Sequence, residues 1–295
     1  MFDLKKYSAS NIKNDILSGL VVAVALVPEA IAFSVIAGVS PIVGLYTAFI
    51  LGLITALIGG KPGMVSGATG SVAVVLVGLS LEANGILSAQ GLDKDAIAMG
   101  ILHYILLATV IAGLIQISIG ALKLGKFIRL VPTPAIHGFV NGLAIVIGTA
   151  QFTFFDGQGY MMYLLVAATM AIMFFLPKFT KAIPAGLVAI VVITLGVYLS
   201  GTNTLLLSGL DDMSQYTGLM PAFEVPMYLF TFDAILLVLP YAVIVAMVGV
   251  IESLLTLSVL DELSNTRGSA NKECIALGTG NVTCGFFGGM AGCAM

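Results

Sequence analysis

A chain of 295 residues that is 59% hydrophobic and only 9% charged cannot coat a water-facing surface, because soluble domains carry about 25% charged residues. Mean hydropathy is +1.10, and apolar stretches of about 17–25 residues, each able to cross a hydrocarbon core, recur along nearly the whole length. This excludes a soluble globular domain and marks an all-α polytopic membrane protein; the net charge of −3 says little by itself.

The polar start, "MFDLKKYSASNIKND" (1–15), is not a secretory signal, because Ile16 opens a long span with no small-residue cleavage site after it. Spans are expected at about 16–38, 43–59, 67–81, 97–122, 127–153, 160–176, 183–200, 234–260 and 274–287. The first carries "VALVPEAIAFSV", where Pro28 frees a backbone carbonyl and bends the helix beside Glu29. A carboxylate at membrane depth reads by default as functional. The plainer alternative is a carboxyl kept neutral and packed.

After the second span comes "GGKPGMVSGATG", starting at Gly59. Its glycines and Pro62 predict a broken, extended backbone, tolerated at membrane depth only where protein or a polar cavity surrounds it. The apolar run that follows, Ala68 to Leu81, has 14 residues, about 21 Å as helix and too short to cross. A half-helix beginning near Gly67–Ser71 would aim free N–H groups and a positive dipole end at the cavity, which suits an anion. Alternatively the glycines only permit close helix packing. In the next spans His103, His137 and Asn141 read as packed or interfacial residues.

From Ala234 to Leu260 the single charged residue is Glu252, with Thr256 at i+4 and Gly249 at i−3 on one small, polar face. Burying a lone carboxylate there costs several kcal/mol (about 2.5–3.5 on insertion scales), so Glu252 is a candidate lining residue. Cys274, Cys284 and Cys293 match no metal-ligand spacing and read as small buried thiols. "GTGNVTCG" is not a nucleotide loop, and no H-E-x-x-H, G-x-S-x-G or Walker sequence supports an enzyme.

Charges segregate across these spans. Lys5, Lys6, Lys13, Lys61, Lys123, Lys126, Arg129, Lys178, Lys181, Arg267 and Lys272 fall on one side, and of the 12 basic residues only Lys94 falls on the other. The positive-inside rule then makes the N-terminus cytoplasmic. The motif at Gly59 is also echoed by "GGMAGCAM" at Gly288, sharing G-G-x-x-G, and Asp15 and Asp233 each open a span with a deep glutamate. Seven spans separate the copies, an odd number, so the second is inserted upside down, as in many secondary transporters. The organisation expected is a cytoplasmic segment (1–15), a first repeat (16–200), an extracytoplasmic loop (201–232) and the start of a second repeat (233–295). The second repeat is truncated, so the chain reads as part of a longer protein.

"PIVGLYTAFILGLITALIGGKPGMVSGATGSVAVV" (41–75), "IHGFVNGLAIVIGTAQF" (136–152), "GVIESLLTLSVLDELSNTRGSANKE" (249–273) and "GNVTCGFFGGMAGCAM" (280–295) resemble the sulfate permease (SulP) anion transporters along essentially the whole chain. The resemblance implies a seven-plus-seven inverted-repeat fold shared with nucleobase transporters. It implies an elevator-type core moving against a gate, a homodimer, and a cytoplasmic STAS domain outside this chain. Thr69, Gly70, Ser71 and Val72 would begin half-helix three at the substrate, and Ala291, Gly292, Cys293 and Ala294 would begin its partner. Glu252 and Thr256 fall where bicarbonate-transporting members bind sodium through an aspartate and a threonine. Glu29 matches an acidic residue linked to proton coupling in some prokaryotic members, and Ala291 stands where many members have proline. The expected function is cation-coupled uptake of bicarbonate or sulfate, with Na⁺ or H⁺ as coupling ion, Na⁺ at Glu252 and Thr256 the one metal considered, and no other cofactor. No nucleic acid is expected as a partner. An organic-acid or nucleobase carrier of the same fold, or a channel-like or sensor module, remains the alternative.

Overall fold

The computed structural model describes residues 9–126, 133–155, 157–180, 185–201, 204, 220–228 and 230–295. Its helices are α1 (Ala9–Ile36), α2 (Pro41–Ile58), α3 (Gly70–Ala89), α4 (Lys94–Ala121), α5 (Thr133–Gln151), α6 (Tyr160–Phe179), α7 (Ala185–Ser200), α8 (Phe232–Ser264) and α9 (Ala270–Phe286). Two short strands, β1 (Ser66–Gly67) and β2 (Cys293–Ala294), complete the pattern. Lys5, Lys6, Arg129, Lys181, Asp156, Asp211, Asp212 and the side chain of His137 lie outside the described residues. Among the described residues six helices (α1, α2, α3, α4, α6 and α8) are long and apolar enough to cross a membrane.

Local chemistry sets the helix ends. Pro41 opens α2 at a position whose N–H would have no helical partner, with its φ already helical. Asp93 caps α4 by accepting from the Ala96 N–H at 3.0 Å. Asn265 ends α8 in the left-handed conformation at φ 55°.

The third helix differs from the sequence expectation. It runs for 20 residues, about 30 Å, rather than stopping with the 14-residue apolar run. Glu82, Asn84 and Gly85 are exposed, while Val72, Leu76, Leu79, Ala83 and Leu87 continue one buried stripe. Helical periodicity carries the segment past the polar residues because only one face has to be apolar. At the other glycine motif the backbone of residues 291–295 runs through β2.

The chain forms two compact units. The first holds residues 29–147 and 216–295: the end of α1, α2, β1, α3, α4, most of α5, α8, α9 and β2. In it β1 pairs antiparallel with β2, Ser66 opposite Ala294 and Gly67 opposite Cys293. The two glycine motifs thus meet head to head, as an inverted repeat dictates. Packing around them is tight because α4 and α9 meet backbone to backbone at facing glycines. A Cβ on Gly278 would lie 2.5 Å from the Gly113 carbonyl oxygen and 2.6 Å from the Ile117 nitrogen. Leu51, Leu76, Leu79, Ile105, Leu107, Val238 and Val245 fill the surrounding core and are 0% exposed. The second unit holds residues 2–28 and 148–215, with α6 packed on α7. No side chain of α6 is buried, as suits a helix whose apolar surface meets lipid or further protein.

Candidate functional site

Helix α3 begins inside the first unit rather than at its surface. Thr69, Gly70 and Ser71 are all buried. The first intrahelical bond runs from the Ala73 N–H to the Thr69 carbonyl at 2.9 Å, so the N–H groups of Gly70, Ser71 and Val72 precede the helical ladder. Threonine at an N-cap position ordinarily turns its hydroxyl back onto such groups. Thr69 does not. Its Oγ1 lies 3.1 Å from the Ser71 Oγ and 3.0 Å from the Cys293 Sγ. The N-terminal end of α3 therefore keeps its donors and its partial positive charge uncommitted to a cap.

Glu252 reaches this point from α8. Its Oε2 accepts from the Ser71 hydroxyl and, at 3.0 Å, from the Cys293 thiol. One turn further along α8, the Thr256 hydroxyl donates to the Ala294 carbonyl at 3.5 Å, and between them the Ser253 Oγ accepts from the Ala294 N–H at 3.0 Å. The carboxylate is half-buried. Beside it opens a cleft of about 300 Å³ lined by Ser71, Val74, Val75, Val146 and Val248 with Gly138 and Gly142 of α5. Thr69, Ser71, Glu252, Thr256, Cys293 and Ala294 thus meet at one place, with Gly70, Val72, Ala291 and Gly292 supplying adjacent backbone.

Glu29 does not join this cluster: it is exposed on α1. Asn141 is exposed on α5. His103 is buried, its Nδ1 accepting from the Met227 N–H at 3.2 Å and its Nε2 lying 3.5 Å from the Glu224 carboxylate. All three cysteines are buried and free, but Cys293 is more than filler, since its thiol links Thr69 to Glu252.

Several residues escaped the sequence reading. Asn281 and Gln116, both 0% exposed, hold the second glycine motif. Thr47 donates to the Met290 carbonyl at 2.9 Å. Glu273, 1% exposed, accepts from the Gly60 N–H at 2.6 Å. Lys61 lies 2.5 Å from Asp261 and donates to the Thr266 carbonyl at 2.6 Å, clasping the first glycine motif to the α8–α9 turn. The available signal was a polar residue in an apolar helix, as at Gln116 in "GLIQISIG" and Asn281 in "GTGNVTCG".

Comparison with known proteins places the chain in a family. The model of the sulfate permease family matches residues 12–161 and 157–294. The Bacillus subtilis protein named "Putative sulfate transporter YbaR" is 42% identical over 294 residues, covering 100% of this chain and 57% of its own. The bicarbonate transporter BicA of Picosynechococcus is 33% identical over 307 residues, covering 96% of this chain and 52% of its own. The chain spans about half the length of these curated relatives. Among solved structures, the transmembrane domain of a cyanobacterial BicA superposes with a TM-score of 0.79 at 30% identity, covering 98% of this chain and 76% of that one. The murine anion transporter Slc26a9, in an inward-facing state, gives a TM-score of 0.75 at 18% identity and shares the fold, covering 99% of this chain and 53% of that one. The relatives are transporters, and the chain belongs to the sulfate permease family.

Proposed function

We propose that this chain is the substrate-holding portion of a secondary active transporter for small inorganic anions, bicarbonate or sulfate. The observation that carries the reading is the buried start of α3, whose capping threonine is turned away and leaves the first-turn N–H groups for a ligand. Backbone amides at a helix N-terminus suit an anion with no aromatic edge to read. A nucleobase would instead call for side-chain amides or carboxylates placed around a flat ring.

Glu252 supports cation coupling. An anion at the α3 terminus and an ionised Glu252 about 4 Å away repel by about 4 kcal/mol at an effective dielectric of 20. A proton on the carboxylate, or Na⁺ shared with the Thr256 hydroxyl, removes that repulsion. Moving the anion against an inside-negative potential also costs about 2.3 kcal/mol per 100 mV, which one accompanying cation cancels. We favour symport over exchange, and H⁺ over Na⁺, because the longer glutamate replaces the aspartate that the family resemblance pairs with sodium. An elevator motion is the companion proposal: every residue of the cluster belongs to the first compact unit, so one body can carry the site. A homodimer in the bacterial inner membrane completes it.

The experiment is tracer uptake by the full-length protein in liposomes with bicarbonate, sulfate, fumarate and uracil. Accumulation of bicarbonate or sulfate is the expected result. Uptake confined to fumarate or uracil would transfer the site to the alternative carriers, and uptake of none would end the transport reading.

A further inference from the structure

The cluster around Glu252 depends on the path of residues 290–295, which form almost no regular structure of their own. Side chains from three helices hold five backbone groups of this stretch. Thr47 takes the Met290 carbonyl, Ser253 the Ala294 N–H and Thr256 the Ala294 carbonyl. The Met295 N–H donates to the Val65 carbonyl at 2.8 Å. At the centre of the stretch Asn281 takes both backbone groups of Gly292. Its Oδ1 accepts from the Gly292 N–H at 3.0 Å and its Nδ2 donates to the Gly292 carbonyl, also at 3.0 Å.

That is the exchange of two bonds a neighbouring strand would make, supplied by one side-chain amide. The same Nδ2 donates to the Gln116 Oε1 at 2.8 Å, which fixes which end of the amide faces which backbone group. Gln116 in turn directs its Nε2 at the Ala246 carbonyl, 3.4 Å away. Room for it comes from Gly249, where a Cβ would lie 2.8 Å from that Nε2. Both amides are 0% exposed, so water cannot stand in for a lost partner.

We propose that Asn281, oriented by Gln116, is a positioning residue for the anion site. It holds Gly292 so that Cys293 presents its thiol to Glu252 and Thr69 and the β2 backbone lies against the start of α3. Among the described residues neither amide bonds to Glu252, whose partners are Ser71 and Cys293, so the effect passes through the strand. The inference rests on the anion-transport reading above.

The test uses full-length transporter in liposomes, with sulfate and bicarbonate tracers and Vmax referred to folded protein measured by gel filtration and thermal melting. Asn281→Ala removes three buried bonds and is expected to raise KM about tenfold or more, with Vmax per folded protein within about twofold of wild type. Gln116→Ala leaves the Gly292 pair but not its orientation, and a rise of about threefold is expected. Thr283→Val, which removes only a bond within α9, should leave KM unchanged. A wild-type KM in Asn281→Ala, or an effect confined to the folded yield, overturns the proposal.

A second readout needs no transport. In a Cys274→Ala, Cys284→Ala background, maleimide labelling of Cys293 should run about fivefold faster with Gln116→Ala, because the strand opens more often. Equal labelling rates overturn the positioning role even where Asn281→Ala does not fold. If wild type accumulates neither tracer, the transport reading falls while the labelling arm still decides the role of the amides.

Discussion

At the scale of single residues, Glu252 has the most consequential surroundings. It accepts from a hydroxyl and a thiol at the positive end of a helix, which suits a negative charge and also places that charge where an incoming anion would sit. Glu252→Gln keeps the size and one accepting oxygen for Ser71 and Cys293 but removes the charge. Gradient-driven accumulation is expected to be lost while anion binding persists, because the α3 amides remain. The measurement is uptake at a fixed anion gradient with external pH and Na⁺ varied independently; unchanged dependence on both in the variant would remove Glu252 from the coupling role. Glu29→Gln, in the same assay, is expected to weaken proton dependence and leave Na⁺ dependence alone. Glu29 lies apart from the cluster, so its effect would show that protons are handled at a second place.

At the scale of elements, the contact between α4 and α9 frames the site, because Gln116 and Asn281 come from these two helices. Gly113 and Gly278 let the backbones meet directly, the small-residue packing that membrane helices use in place of a hydrophobic drive. Gly278→Ala puts a methyl carbon against backbone atoms that cannot move aside alone. Overpacking of this kind costs about 1–3 kcal/mol. A lower melting temperature in detergent is expected, and an unchanged one would mean that the helices can separate without loss. Hydropathy shows each of these helices, but the apolar run understates the length of α3. An apolar-run count ignores that Ala83 and Leu87 extend a buried stripe while Glu82 and Asn84 face outward. At the partner motif, backbone pairing with β1 holds Cys293 and Ala294 extended.

At the scale of the whole molecule, orientation is a prediction from charge alone. With eleven of the 12 basic residues on one side, the N-terminus and the segment 123–129 are expected in the cytoplasm and 82–94 outside. Cysteines introduced at Gly91 and at Leu124, which is exposed, should react with impermeant maleimide from opposite sides of intact cells and inverted vesicles. Gly91 tolerates the change sterically, having nothing within 4 Å, although its φ of +70° adds local strain. Labelling of both positions from the same side would refute the topology.

Much of this protein follows from the chain by itself. Hydropathy over long windows determines the membrane setting and the helices, because a bilayer sets their length and forces backbone bonding inward. The deep position of Glu252 and the paired glycine motifs mark the candidate site, because a carboxylate and a broken backbone are both costly in hydrocarbon. Only the tertiary structure decides how those parts meet. That Thr69 turns from its cap to Cys293, that Glu252 reaches Ser71, and that Asn281 stands in for a strand beside Gly292 are contacts across 224, 181 and 11 residues of sequence. Periodicity reports which face of a helix is buried, but not which donor on a distant segment it will face. Closure of β1 on β2 settles that, by bringing the two inverted motifs into register.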